Sequence, residues 1–109
     1  MPSIQITEGP SNRSLSASNN QEMEFFTLAL DPNDLLEENN DLEVRFEFSG
    51  DPLFDNVIQK GYIEPIWYPE FWYCGFQKVG TFKLQLFIDE VEGGEQVAES
   101  NVWSWEITE

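Results

Sequence analysis

The sequence predicts an all-β protein, a single antiparallel β-sandwich domain over residues 1–109 with at most one short helical turn. Two segments and one spacing carry that expectation. From Leu42 to Phe48, Leu42, Val44, Phe46 and Phe48 alternate without error with Glu43, Arg45 and Glu47. A period of two puts one set on a buried face and the other in water. From Thr81 to Ile88 the pattern returns, with Phe82, Leu84, Leu86 and Ile88 inward and Phe87 the one apolar residue on the other face. Between apolar runs, Gly, Pro and Asn turn signals recur about every ten residues, the spacing of a sandwich.

The remaining elements follow in chain order. Ile4 and Ile6 alternate with polar neighbours and predict a short first strand. Glu8 to Glu22 is poor in apolar residues and reads as a long loop or mobile arm, with Leu15 as an anchor. Met23 to Leu30 is the next strand, with Phe26, Leu28 and Leu30 on one face and Phe25, Thr27 and Ala29 on the other. Asp31-Pro32-Asn33-Asp34 stops it with turn chemistry, and 34–39 is the candidate helical turn, capped by Asp31 or Asn33. Ser49-Gly50-Asp51-Pro52 is expected to end the Leu42 strand. Short strands are expected at Val57-Ile58 and Tyr62 to Tyr68, around a turn at Lys60-Gly61, and Phe71 to Phe76 reads as extended. Glu92-Gly93-Gly94-Glu95 forms a turn before one last strand, Val97 to Ile107, whose Trp103, Trp105 and Ile107 share a face. The expected core contains Phe46, Phe48, Phe82, Leu84, Leu86 and Trp105.

Gly80-Thr81-Phe82, the Phe82/Leu84/Leu86/Ile88 alternation, the acidic-Gly turn and Trp103/Trp105/Ile107 together resemble the closing strands of immunoglobulin-like and fibronectin-III-like domains. The resemblance covers residues 80–107 and implies an immunoglobulin-like sandwich. It implies no function, because such folds host many. The Cys…Trp…Cys signature of true immunoglobulin domains is missing, since Cys74 stands alone.

Composition narrows the chemistry. Twenty-one Asp and Glu against five Lys and Arg give a net charge of −16, with no His and one Cys. Without His there is no imidazole base and no histidine metal ligand. One Cys allows no intrachain disulfide, and Cys74 has no basic sequence neighbour to lower its pKa. With this many carboxylates, chance acidic pairs are certain, so a glycosidase-like pair has no specificity. The expectation is a protein that is not an enzyme and carries no cofactor. Five scattered cations make no basic stripe, so direct nucleic-acid or membrane binding is not expected. The N-terminus shows no signal-peptide pattern, which gives a cytoplasmic expectation, the host cytoplasm if the chain is viral.

Three regions are candidate sites. Residues 67–76 hold six aromatics in ten positions. Phe71, Trp72 and Tyr73 are consecutive, so alternation cannot bury them all unless both faces are covered. Trp67, Tyr68, Phe71, Trp72 and Tyr73, rimmed by Glu64 and Glu70, are therefore the expected partner-binding residues. Asp89, Glu90, Glu92, Glu95 and Glu99 form a secondary acidic surface. Asp31, Asn33, Asp34, Glu37, Glu38 and Asp41 offer the hard oxygens that Ca²⁺ takes. Leu35 and Leu36 break the EF-hand spacing, so a solvated loop without metal is the expectation.

Two uses fit this pattern. The first is a small acidic inhibitor that engages a basic nucleic-acid-binding surface of a protein partner, as a DNA mimic of the anti-restriction or anti-CRISPR type. A compact chain of this length has a radius of gyration of roughly 13 Å, hence a diameter of about 34 Å and about one excess charge per 2 Å. Duplex DNA carries about one per 1.7 Å of axis. The second is a structural or assembly module, such as an immunoglobulin-like virion decoration protein, in which charge serves solubility and self-association is open. Mimicry requires carboxylates on one continuous face; decoration requires an apolar dock and tolerates scattered charge.

Overall fold

In a computed structural model of the chain, residues 2–15, 23–31, 41–51, 59–64, 69–74 and 78–109 are described here. They form nine strands in two packed sheets, an all-β sandwich with no helix among the described residues. None of the described residues therefore belongs to a helix long and apolar enough to cross a membrane. The candidate helical turn at 34–39 and the Val57-Ile58 strand lie outside the described residues.

The smaller sheet has the order β1-β3-β6, from β1 (Ser3–Glu8), β3 (Met23–Asp31) and β6 (Glu70–Cys74), all antiparallel. The larger runs β2-β9-β7-β4-β5, from β2 (Arg13–Ser14), β9 (Trp103–Thr108), β7 (Gly80–Glu90), β4 (Leu42–Asp51) and β5 (Lys60–Ile63). β8 (Gln96–Glu99) pairs with the C-terminal half of β7, and β9 with its N-terminal half.

The two strongly alternating segments become neighbours. β4 and β7 pair over ten rungs, from Leu42 opposite Glu90 to Asp51 opposite Thr81. Val44, Phe46 and Phe48 from β4 and Phe82, Leu84, Leu86 and Ile88 from β7 all point inward and are buried. Ile4, Ile6, Phe26, Leu28 and Phe71 of the smaller sheet meet them. Phe26 sits at the centre, with ring centroids 6.2 Å from Phe48, 5.8 Å from Phe71 and 5.7 Å from Trp105. Aromatic burial of this kind is how a short chain with modest aliphatic content obtains a core.

Several boundaries differ from the sequence expectation, each for a local reason. β4 does not stop at Phe48 but continues through Ser49, Gly50 and Asp51. Gly50 pairs with Phe82 at φ +140°, and a Cβ there would run into the Thr81 carbonyl, so this glycine permits a close strand approach. Gly61 likewise lies inside β5 rather than in a turn. A Cβ on it would come within 3.2 Å of the Phe46 ring, so the missing side chain makes room for a core aromatic. The expected last strand is two strands, broken where Ser100 takes over β7 pairing. Its N–H donates to the Leu86 carbonyl at 2.8 Å, and its Oγ accepts from the Leu86 N–H at 2.9 Å. The Glu92–Glu95 turn forms as expected, with Gly93 and Gly94 at φ +83° and +67°.

The expected mobile arm is pinned over residues 8–15, while 16–22 lie outside the described residues. The chain leaves β1 and crosses to the larger sheet, where β2 pairs with β9 in parallel. Trp103 Nε1 donates to the Pro10 carbonyl at 2.9 Å, the Glu106 N–H donates to Asn12 Oδ1 at 2.8 Å, and the Leu15 N–H donates to the Thr108 carbonyl at 2.6 Å. Asn101 closes the edge of β1: its Oδ1 accepts from the Ile6 N–H at 2.8 Å and its Nδ2 donates to the Ile6 carbonyl at 3.1 Å. One side-chain amide thus imitates a partner strand and occupies the edge.

Candidate functional site

The expected aromatic site divides between the faces of the smaller sheet. Trp67 and Tyr68 lie outside the described residues. Phe71 is in the core and unavailable to a partner, its ring centroid 5.0 Å from that of Phe46 in a tilted contact and stacked on Phe26 at 5.8 Å. Tyr73 is half-buried and also turns inward, 4.2 Å from Phe48. β6 obeys its pleat, so of its three consecutive rings only Trp72 faces out, 49% exposed. Its register partner Phe25 on β3 meets it in a T-shaped contact at 5.0 Å. Glu70 accepts from Trp72 Nε1 at 3.2 Å, while Glu64 follows β5 in the other sheet; the two expected rim carboxylates belong to different sheets. The other described outward residues of this small face are Ser3, Gln5, Thr7, Glu8, Thr27, Ala29 and Asp31, with Glu8 and Glu70 both pairing with Thr27 and no Lys or Arg among them.

The acidic regions, separate in sequence, converge. The Val91 N–H donates to the Asp41 carbonyl at 2.8 Å and the Glu90 N–H to the Glu95 carbonyl at 2.8 Å. These bonds set Asp41, Glu43, Glu90, Glu92 and Glu95 at one end of the β4–β7 ladder. Glu64 follows Ile63, which is paired with Val44, and Glu99 pairs with Phe87, so both lie near the same end. Two lysines fall toward the other end, where Lys83 pairs with Ser49 and Lys78 precedes β7, while Lys60 pairs with Glu47 at mid-ladder. The ladder separates the two ends by about 30 Å at roughly 3.4 Å per residue.

Within the acidic end the outer face of the larger sheet carries one ordered cluster. Asp89, expected on an open acidic surface, is instead buried and ion-paired. Arg45 Nε donates to Asp89 Oδ2 at 2.7 Å, Arg45 Nη2 to Gln96 Oε1 at 3.2 Å, and Nη1 to Glu47. The guanidinium lies 4.2 Å from the Phe87 ring centroid, a cation–π contact. Tyr62, on the same row, donates its hydroxyl to Asp89 Oδ2 at 3.3 Å and is 51% exposed. The Asp89 hydrogen bond is the largest influence holding the Arg45 guanidinium above its ordinary pKa. Desolvation against the sheet, then the carboxylates of Asp89 and Glu43, push the Tyr62 phenol up, so it stays a neutral donor at physiological pH. The sequence marks Tyr62 only as the start of a strand. Its signal was present: it is separated by one residue from Lys60 and from Glu64 on a period-two face.

A second pair escaped the sequence reading. Glu24 faces inward beside Phe26 and is 4% exposed. Arg13 of β2 reaches it bidentately, Nη2 to Oε1 at 2.5 Å and Nη1 to Oε2 at 3.2 Å. Burial raises the Glu24 pKa, and the Arg13 hydrogen bond and charge oppose that rise. The pair ties β3 of one sheet to β2 of the other.

Among the described residues, no group of three or more His, Cys, Asp or Glu side chains is placed to hold a metal ion. Of the calcium candidates, Asp31 and Asp41 are described, on β3 and just before β4; Asn33, Asp34, Glu37 and Glu38 lie outside the described residues. A comparison with protein-family models finds no match, and a comparison with curated proteins finds none either.

Proposed function

We propose that the protein is a non-enzymatic protein-binding module, an acidic inhibitor that engages a basic nucleic-acid-binding surface of its partner. The observation that carries this reading is the gathering of charge: Asp41, Glu43, Glu64, Glu90, Glu92, Glu95 and Glu99 lie at the end where Tyr62 stands out from the Arg45–Asp89 cluster, while Lys78 and Lys83 lie toward the other and Lys60 stands between, at mid-ladder. An exposed ring held in place by a buried carboxylate, with carboxylates around it, suits a basic partner. The ring supplies contact energy and the rim steers encounter. The molecule measures 44 Å along its longest axis, so its net charge of −16 corresponds to about one charge per 2.8 Å, sparser than duplex DNA at about 1.7 Å. The acidic end is therefore the mimicking region, rather than the whole body.

Capture from a cell lysate on the immobilised protein tests this. Nucleic-acid-binding enzymes should be retained at low salt, released by excess duplex DNA, and lost with Tyr62→Ala or with Glu90→Lys/Glu92→Lys/Glu95→Lys. Equal capture by wild type and both variants contradicts it.

The strand order favours a second reading, an immunoglobulin-like assembly module. In that reading the order β1-β3-β6 takes the part of strands A, B and E, and β5-β4-β7-β9 that of C′, C, F and G. Capture of virion or capsid proteins that survives high salt supports that reading over inhibition.

A further inference from the structure

We propose that β5 is the contact strand between two copies of this chain, whose larger sheets join antiparallel through Lys60, Tyr62 and Glu64. The backbone supplies the first argument. β5 ends the larger sheet, and among the described residues it pairs with β4 alone. The Phe48 N–H donates to the Gln59 carbonyl at 2.6 Å, and the register continues with Phe46 opposite Gly61 and Val44 opposite Ile63. Hydrogen bonding alternates along an antiparallel strand, so Gln59, Gly61 and Ile63 turn their N–H and carbonyl groups to β4. Lys60, Tyr62 and Glu64, the residue just past β5, turn theirs to the open edge. Such a row is a template for another strand.

The side chains on that row select the strand. A two-fold axis at Tyr62 sets this residue opposite its counterpart and each copy's Lys60 opposite the other's Glu64. All three residues then fall in hydrogen-bonded pairs, with about six backbone bonds between the copies. An isologous contact requires this self-complementarity. A lysine on an edge strand ordinarily deters pairing, and a carboxylate directly opposite removes the deterrent. Among the described residues neither Lys60 nor Glu64 makes an ion pair of its own. The β4–β5 register brings Glu64 level with Glu43, a like charge, and Lys60 opposite Glu47. In the dimer each lysine lies between a carboxylate of its own chain and one of the other. Tyr62, 51% exposed, gains a cross-strand aromatic neighbour, and Gly61 leaves room opposite the other copy's Ile63. Glu43 and Glu47 keep the face acidic, and three residues a side bury far less than the roughly 800 Å² per partner of a standard interface. The dimer is therefore weak and requires salt to screen the body charge. The Glu90–Glu95 turn stays clear of it, and Lys60 has no part in the proposed inhibition.

Sedimentation equilibrium at about 0.15 M NaCl, where the Debye length is about 8 Å, tests the pairing. Wild type should move from one chain, 12.6 kDa, toward two as its concentration rises. Lys60→Glu sets carboxylate against carboxylate and should remain monomeric, with an unchanged circular dichroism spectrum. Glu64→Lys should remain monomeric too, although it makes the body less negative, because lysine then meets lysine. An equimolar mixture of the two variants should dimerise, and so should the double variant Lys60→Glu/Glu64→Lys by itself. In wild type, amide exchange at Tyr62 should slow as concentration rises, while exchange at Gly61 and Ile63 stays constant. A wild type that is monomeric at all concentrations overturns the proposal, as does a Lys60→Glu variant that dimerises like wild type or exchange at Tyr62 that ignores concentration. Lys60→Glu leaves Tyr62 and the acidic end in place, so capture of a basic partner by this variant is read independently of its dimerisation.

Discussion

Two side chains decide more about this molecule than their positions in the sequence suggest. Glu24 is ionisable and faces the core, and burial raises its pKa above the ordinary carboxyl value more than Arg13 lowers it. A carboxyl raised in this way is held protonated more tightly by the folded state than by the unfolded. Its contribution to stability is therefore full below about pH 4.5 and is lost as pH rises from there through the folded value. Loss of net charge on mild acidification acts in the same direction. Unfolding followed from pH 7 down to about 5 should show rising stability, and Glu24→Gln should flatten the part due to this residue. Identical profiles for the two proteins contradict the assignment. Asn101 acts through the backbone. Asn101→Ala should cost about 1–3 kcal/mol, because it leaves the Ile6 N–H and carbonyl at an open edge. Accelerated amide exchange at Ile6 is the local sign, and unaltered exchange argues against the clip. Neither role was legible beforehand. Glu24 occupies the inward parity of β3, but nothing in sequence places Arg13 beside it. An Asn in a loop likewise gives no sign of the strand it will meet.

Among the elements, β4 and β7 were legible because their alternation is unbroken. Their pairing puts Phe46 between Phe48 and Phe71, at 5.8 and 5.0 Å. Phe46→Ala should cost roughly 3–5 kcal/mol in denaturant unfolding, since the sheets on both sides limit collapse into the void. A cost near zero removes Phe46 from the core. β2 was not legible, since two residues carry no period and only β9 and Glu24 fix them. Gly50 and Gly61 read as turns because glycine most often marks turns. Here both make room for close neighbours, Thr81 and Phe46, which no local pattern encodes. Parity foretold that Phe71, Trp72 and Tyr73 could not share a face. It could not tell which would face out, because that depends on which parity of β6 meets Phe26 and Phe46.

At the scale of the molecule, charge is the dominant property, and the fold sorts it. Composition alone established the acidity; the convergence of Asp41 and Glu43 with the Glu90–Glu95 turn required the β4–β7 register. Self-repulsion among the carboxylates should make the melting temperature rise between low and moderate NaCl, where a Debye length near 10 Å at about 0.1 M screens neighbours along the acidic end. A flat curve means that the carboxylates are already neutralised by bound cations. The same charge, around Tyr62, is the basis of the proposed inhibition. Competition between this protein and duplex DNA for a captured partner, at fixed ionic strength, tests that most directly. The apparent affinity of the wild-type protein should fall in proportion to DNA concentration, as for two ligands of one surface. A partner that binds the protein and duplex DNA at the same time, with neither weakening the other, contradicts the account.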